Sequence, residues 1–130
     1  MDGEASSRNR AALGAALAGT GVALGAFGTH SLRPRLAPRD LEIFTTGVQY
    51  QTLHGVAIIA LTTAGVALGR SMRLPTAFLA FGAIVFALSL YILSLGGLRW
   101  MGAVAPLGGL SLMIGWGLAA WTLLRRESSS

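Results

Sequence analysis

Cysteine and lysine are both missing from this chain of 130 residues, and acidic side chains are few. The lack of cysteine excludes disulfides, thiolate metal sites and thiol catalysis. Only 12% of the residues are charged, about half the share found in a soluble domain. All ten basic residues are arginines, which give a net charge of +5. They flank apolar runs and form no basic stripe with interleaved aromatics, so we expect no nucleic-acid partner.

Long uncharged runs dominate the rest of the sequence. Their approximate bounds are 11–28, 47–69, 74–95 and 103–124, between a polar N-terminal tail (1–10) and a polar C-terminal tail (125–130). The shortest run covers about 27 Å as a helix, against a hydrocarbon core of about 30 Å. We therefore predict an all-α protein, an integral membrane four-helix up-and-down bundle, with the lipid bilayer as its first partner.

The first run has a second interpretation, a cleaved signal peptide. Arg8 and Arg10 would form its basic start, and residues 26–28 would supply small side chains for cleavage. Against this, the run is long for the apolar region of a signal peptide and is built of glycine and alanine instead of leucine. We favour a retained first helix.

Glycine is abundant, with 18 residues. Each mid-helix glycine costs a soluble helix about 0.5–1 kcal/mol relative to alanine, but in membrane helices small residues let backbones approach closely. The glycines predicted to serve helix packing are Gly21, Gly25, Gly108, Gly109 and Gly115. Such faces are equally compatible with a tight bundle and with an oligomer. A homo-oligomer or a complex with a partner membrane protein is therefore an alternative that the sequence leaves open.

Polar side chains concentrate in one leaflet of the predicted bundle. In an up-and-down arrangement, the ends of the first and third helices and the starts of the second and fourth share one side of the membrane. The polar residues at these positions are His30, Gln49, Tyr50, Gln51, His54, Ser89, Tyr91, Ser94 and Ser111. Because polar groups at such depth usually face the bundle interior, we predict a polar cluster here and dry packing in the other leaflet.

This cluster has three interpretations. The first is a structural hydrogen-bond network between helices. The second is a pocket for a small molecule, a lipid or a quinone head group. The third is a haem or metal site formed by His30 and His54. His30 lies nearer the loop than His54, which weighs against shared ligation, so we predict no metal and no cofactor. The sequence contains no Gly-x-Ser-x-Gly, no His-Glu-x-x-His and no phosphate-binding glycine loop, so we assign no catalytic residue.

Several stretches form a recognisable set. They are Gly25-Ala26-Phe27-Gly28-Thr29-His30, Phe44 with Gly47-Val48-Gln49-Tyr50-Gln51-Thr52-Leu53-His54, Ser89-Leu90-Tyr91, Pro106-Leu107-Gly108-Gly109 and Gly115-Trp116. Together they resemble the DUF423 family of small membrane proteins, which includes transmembrane protein 256. The resemblance implies a four-helix membrane fold without signal-peptide cleavage, and it brings no established reaction. Thr29 and Leu88 depart from the family pattern, and Leu88 is expected to make the third helix bulkier beside the cluster.

We expect a binding, accessory or scaffold protein that engages a lipid, a small molecule or a partner helix. One alternative is a membrane-embedded enzyme or redox subunit acting on a lipid- or quinone-like substrate, with His54 as base or metal ligand. The other is an oligomeric transporter or channel.

Arginine placement predicts the orientation. The side with both termini has Arg8, Arg10, Arg70, Arg73, Arg125 and Arg126, and the other has Arg33, Arg35, Arg39 and Arg99. This excess favours both termini in the cytoplasm. We expect the membrane to be a bacterial cytoplasmic membrane.

Overall fold

Four α-helices and one π-helical turn make up most of residues 2–125, the part of the chain described by a computed structural model. The helices are α1 (Asp2–Phe27), α2 (Pro38–Ala67), α3 (Arg73–Gly96) and α4 (Met101–Leu124), and the π-helical turn Gly28–Leu32 continues α1. These residues contain no strand, so the predicted all-α class is confirmed. The predicted C-terminal tail lies outside the described residues from position 126 onward.

Two helices begin well before the apolar runs that predicted them. α1 starts at Asp2, because nothing in the polar tail breaks a helix and Arg10 donates to the hydroxyls of Ser6 (2.7 Å) and Ser7 (3.2 Å) one turn earlier. α2 starts at Pro38, whose fixed φ suits a first helical turn. The runs mark segments free of charge, whereas the helices extend to the next residue that breaks the hydrogen-bond ladder.

Glycines in the left-handed conformation end α2 and α3. Gly69 has a φ of 62° and Gly97 a φ of 65°, values that residues with a side chain rarely adopt. After α2, the N–H of Arg70 donates to Gly65 O (2.8 Å) and the N–H of Gly69 to Val66 O (3.3 Å), the Schellman pattern. These tight endings let the chain reverse within a few residues.

The helices pack in sequence order. α1 lies against α2, α2 against α3 and α3 against α4, whereas within residues 2–125 α1 and α4 share no extensive interface. Contacts run in opposite directions along each pair: Gly14 of α1 faces Gly55 of α2, and Gly28 faces Phe44. The bundle is therefore up-and-down, as predicted, and α1 and α4 form its two flanks.

Three helical segments are long and apolar enough to cross a membrane by length and composition: Gly3–Leu32, Arg73–Gly96 and Met101–Leu124. α2 carries polar side chains in residues 49–54, which lower its hydropathy. It nevertheless packs along both α1 and α3, so it crosses the same layer with them. Exposed apolar side chains such as Phe81 therefore face lipid.

Glycines at every seventh position of α1 form its contact with α2. Gly14, Gly21 and Gly28 are all buried. On the facing helix, a Cβ at Gly55 would lie 2.6 Å from both Ala18 N and Gly14 O. Because these are backbone atoms, only a shift of the whole helix would relieve the clash. Glycine on both helices is what lets the two backbones touch.

Replacing Gly55 with alanine should push α1 away from α2 and lower the free energy of unfolding by about 1–3 kcal/mol, the usual cost of overpacking. The measurement is denaturant unfolding of the purified protein in detergent. Gly19→Ala is the matched control, since a Cβ there meets nothing within 4 Å. It should be neutral or slightly stabilising because alanine favours a helix. Equal stability of the two variants would contradict the close contact.

Candidate functional site

Gln51 joins three helices through its side-chain amide. From α2, its Nε2 donates to Leu17 O (3.0 Å) and Thr20 Oγ1 (2.7 Å) of α1, and its Oε1 accepts from Tyr91 OH of α3 at 2.8 Å. Gln51 is only 6% exposed, and a buried amide without partners would be costly. This part of the predicted cluster ties α1, α2 and α3 together.

Glycine makes room for the ring that reaches Gln51. A Cβ on Gly47 would lie 2.7 Å from Tyr91 Cε1, and the Tyr91 ring centroid is 4.9 Å from that of Phe44 at an interplanar angle of 41°. Phe44, Gly47 and Gln51 follow one another at spacings of three and four, so they share one face of α2. That face receives the third helix.

His54 is held between α2 and α4 in one tautomer. Its Nδ1 lies 2.7 Å from Tyr50 O, and its Nε2 lies 3.1 Å from Trp116 Nε1. A carbonyl can only accept a hydrogen bond and an indole N–H can only donate one, so Nδ1 carries the proton and Nε2 accepts. The lone pair that a metal ion or a substrate proton would need is therefore occupied by Trp116.

A groove of about 680 Å³ opens beside His54, between α2 and α4. Aromatic rings line one side of it: the Tyr50 centroid lies 4.6 Å from that of Phe86 and 5.8 Å from that of His54, and the His54 and Trp116 centroids are 6.0 Å apart. The other lining residues are Gln49, Leu53, Pro106, Gly109, Leu112 and Met113. The groove thus combines apolar walls with a few polar groups.

Pro106 and Gly109 set the local structure of α4 where the groove opens. Pro106 lies inside α4 and has no N–H, so the carbonyl of Gly102 loses its helical donor. A Cβ on Gly109 would meet only Phe86 Cδ2, at 4.0 Å, whereas one on Gly108 would lie 2.6 Å from Phe86 N. Of the two adjacent glycines, Gly108 serves packing and Gly109 leaves the groove open.

The other glycines predicted to serve packing lie at helix contacts inside the chain. Gly21 and Gly25 face α2, and a Cβ on Gly115 would lie 2.8 Å from Leu79 Cδ2 of α3. By contrast, Gly19 on the outer side of α1 meets nothing within 4 Å. Of the five glycines predicted to serve packing, all but Gly109 therefore lie at close helix contacts within a single copy.

The three serines of the predicted cluster are buried but play unequal parts. Ser89 and Ser94 donate to carbonyls of their own helix, at 2.6 Å and 3.1 Å. Ser111 of α4 donates to Phe78 O of α3 at 2.9 Å. Only Ser111 links two helices.

His30 and Gln49 do not join the hydrogen-bond network. Gln49 is exposed at the groove. In the π-helical turn Gly28 and Leu32 are buried and His30, two residues from each, is exposed, because residues two apart do not share a helix face. Within residues 2–125 no three His, Asp or Glu side chains gather as metal ligands. The absence of a metal and a cofactor stays a prediction, with haem or metal ligation by His30 and His54 as its untested alternative.

Sequence reasoning alone does not single out Trp116 or Thr20, both of which bind predicted site residues. Trp116 contacts His54 from another helix, and no local spacing connects the two. Its one sequence signal is its place in the family-like Gly115-Trp116 pair. The expectation for Leu88 is wrong: its side chain is 51% exposed, so its bulk faces lipid and not the cluster.

The sequence surrounding this site can be compared with known proteins. A family model described as "Protein of unknown function (DUF423)" matches residues 24–109, which include Gln51, His54 and Tyr91. The chain belongs to the DUF423 family. The DUF423 resemblance is therefore confirmed, and it covers α2, α3 and the groove-forming start of α4.

Relatives from three bacteria support the DUF423 assignment. The chain is 40% identical over 101 residues to UPF0382 inner membrane protein YgdD of Escherichia coli (strain K12), covering 75% of each chain. It is 38% identical over 106 residues to UPF0382 membrane protein YwdK of Bacillus subtilis (strain 168), covering 80% of this chain and 86% of the relative. The chain is 35% identical over 104 residues to UPF0382 membrane protein SSP2132 of Staphylococcus saprophyticus, covering 80% of this chain and 87% of the relative. No solved structure matches.

Gln51→Leu should lower the free energy of unfolding by about 1–3 kcal/mol, because Tyr91 OH would be left unpaired in an apolar site. Tyr91→Phe removes a single bond and should cost about 0.5–1.5 kcal/mol. The double variant should cost less than the sum, with a coupling of at least about 0.6 kcal/mol. Unfolding of all four proteins in detergent measures this cycle.

Thr63→Val is the control for that cycle, since Thr63 is exposed and its hydroxyl donates only to Ile59 O of its own helix. It should leave stability nearly unchanged. Strictly additive losses at Gln51 and Tyr91 would show that the two side chains act independently and that the network does not join the helices.

Proposed function

We propose that this DUF423 protein binds a lipid-soluble molecule in the groove between α2 and α4. The observation that carries the proposal is the aromatic wall formed by Tyr50, His54 and Trp116 beside a volume of about 680 Å³, within the usual range of about 300–1,000 Å³ for small-molecule sites. Leu53 and Met113 at the groove are 61% and 66% exposed. A ligand would therefore enter from the lipid.

The groove favours a ligand with an apolar body and a small head group rich in acceptor oxygens. Within residues 2–125, the Tyr50 hydroxyl and the Gln49 amide make no hydrogen bond, so their donors are available. The rings of Tyr50, Phe86 and Trp116 offer flat apolar surfaces for stacking. A quinone head group, or the carbonyl region of a lipid, has this chemistry.

Binding fits the site better than catalysis. Both nitrogens of His54 already have partners, Tyr50 O and the Trp116 indole. For His54 to act as a base or metal ligand, Trp116 would have to move. The role of an enzyme or redox subunit therefore stays a prediction of the sequence, and the groove supports a protein that holds or presents its ligand.

We also propose a place in the bacterial inner membrane with both termini in the cytoplasm. The Escherichia coli relative is named an inner membrane protein. Of the nine arginines within residues 2–125, five lie at the end of the bundle that holds the start of α1 and the end of α4, and cytoplasmic loops carry the excess of basic residues.

Filling the groove should weaken ligand binding without unfolding the protein. Gly109→Leu places a branched side chain in the groove, where a Cβ meets only Phe86 Cδ2 at 4.0 Å. We expect its affinity for a short-chain ubiquinone analogue to fall more than about tenfold, the effect of losing about 1.4 kcal/mol. Quenching of tryptophan fluorescence in a quinone titration measures the affinity.

Gly117→Leu is the matched control, because Gly117 lies on the same helix, outside the groove, with nothing within 4 Å of a Cβ. It should bind like the parent protein. Equal affinities of the two leucine variants, or no saturable quenching of the parent protein, would reject the groove as a quinone site.

The orientation can be read by labelling, since the chain has no cysteine of its own. Single cysteines at Ser71 and Ala37 mark the α2–α3 and α1–α2 connections, which lie on opposite sides of the bundle. In intact cells a membrane-impermeant maleimide should label Ala37→Cys and spare Ser71→Cys, and both should react after permeabilisation. The reverse pattern would place the termini outside.

A further inference from the structure

A second cavity, of about 450 Å³, lies at the opposite end of the bundle from the groove. It is bounded by the first turns of α1, the end of α2 and the connection to α3. Its charged lining residues are Arg10, Arg70 and Arg73, and within the described part of the chain no carboxylate lines it. Three guanidinium groups around one cavity repel one another, and an anion between them would remove that repulsion.

Arg10 is held in place before any ligand arrives. Its two terminal nitrogens donate to Ser6 Oγ and Ser7 Oγ, and its Nε is buried with no partner within residues 2–125. Thr62, another lining residue, is 4% exposed, and its hydroxyl is also buried without a partner there. Unpaired buried polar atoms are costly, and two of the residues around the cavity have one within the described part of the chain.

Arg70 contributes a guanidinium whose position is fixed by α4. Its Nη1 donates to Thr122 O and to Leu123 O, the latter at 2.9 Å. Both bonds use the same nitrogen, and a guanidinium has five N–H donors. The remaining edge of the group can therefore donate elsewhere, while the contact with the end of α4 keeps it beside the cavity.

The start of α3 lies beside the same cavity, since Ser71 and Arg73 line it. Met72 caps this helix without a side-chain hydrogen bond, and the first ladder bond is from Thr76 N to Met72 O. The N–H groups of Arg73 and Leu74 precede that bond, so they have no helical acceptor. Free N–H groups at a helix start, together with its dipole, favour phosphate.

We propose that this cavity binds an anionic phosphate group at the membrane surface. Arg10, Arg70 and Arg73 flank the points where the apolar runs of α1, α2 and α3 begin or end, the level at which lipid head groups lie. Guanidinium groups bind phosphate with paired N–H donors. The phosphate belongs to a membrane lipid or to a free phosphate in the adjoining water, and this site is independent of the groove.

The test uses the full chain in detergent micelles doped with dioleoyl phosphatidylglycerol or with dioleoyl phosphatidylcholine, followed by native mass spectrometry. We expect the parent protein to retain phosphatidylglycerol in preference to phosphatidylcholine. The retained phosphatidylglycerol should fall about fivefold in Arg73→Gln and more than about tenfold in the double variant Arg10→Gln, Arg73→Gln. Arg73 is exposed, so the single variant is not expected to disturb folding. Arg33→Gln with Arg35→Gln, exposed on the other side of the bundle, is the matched control.

A second arm separates the two sources of phosphate. The site binds free phosphate if two results coincide. Millimolar inorganic phosphate then raises the melting temperature of the parent protein but not that of Arg73→Gln, and the protein shows no preference between the two lipids. Retention of phosphatidylglycerol that inorganic phosphate does not displace assigns it to lipid. Failure of both probes, or an equal loss in the Arg33 and Arg35 control, overturns the proposal.

Discussion

A polar group in the membrane interior must find its partner inside the protein, and the amide of Gln51 meets this constraint for three helices at once. Its donors reach α1 and its acceptor oxygen receives the hydroxyl of Tyr91 from α3. Lipid offers no competing hydrogen bonds, so these bonds fix the axial register of α1 and α3 relative to α2. The basic cavity, which α1, the end of α2 and the connection to α3 surround, depends on that register.

Short side chains make this network geometrically possible. Gly14 and Gly55 bring α1 against α2, and Gly47 admits the Tyr91 ring on the other face. A bulkier residue at either contact would move the helix farther than a hydrogen bond of about 2.9 Å can stretch. The glycines therefore act together with the amide: close packing positions the polar atoms, and the polar atoms specify which faces pack.

The sequence predicts the fold well because apolar length, breaks and loops are local properties. The bundle, the helix order and the leaflet that holds most of the polar residues all follow from counting along the chain. Partners within that leaflet do not, because they depend on helix rotation. Gln51 and Tyr91 meet as two of the predicted residues, but His54 pairs with the unpredicted Trp116, and His30 faces outward. Trp116 lies 62 positions from His54, so no sequence periodicity connects the two. The basic cavity is equally hard to predict, because its arginines resemble the ordinary charges that flank membrane helices.

The groove and the basic cavity lie at opposite ends of the bundle, and largely apolar side chains separate them. Along α2, the 13 steps from His54 to Ala67, the last residue of the helix, span about 20 Å at 1.5 Å per residue. The layer between them is a core of apolar side chains, including Ile58, Leu61 and Leu79. A polar solute cannot pass such a layer within a single copy, so transport would need movement of the helices or a second copy. The two cavities are better suited to molecules that already reside in, or at the surface of, the two leaflets.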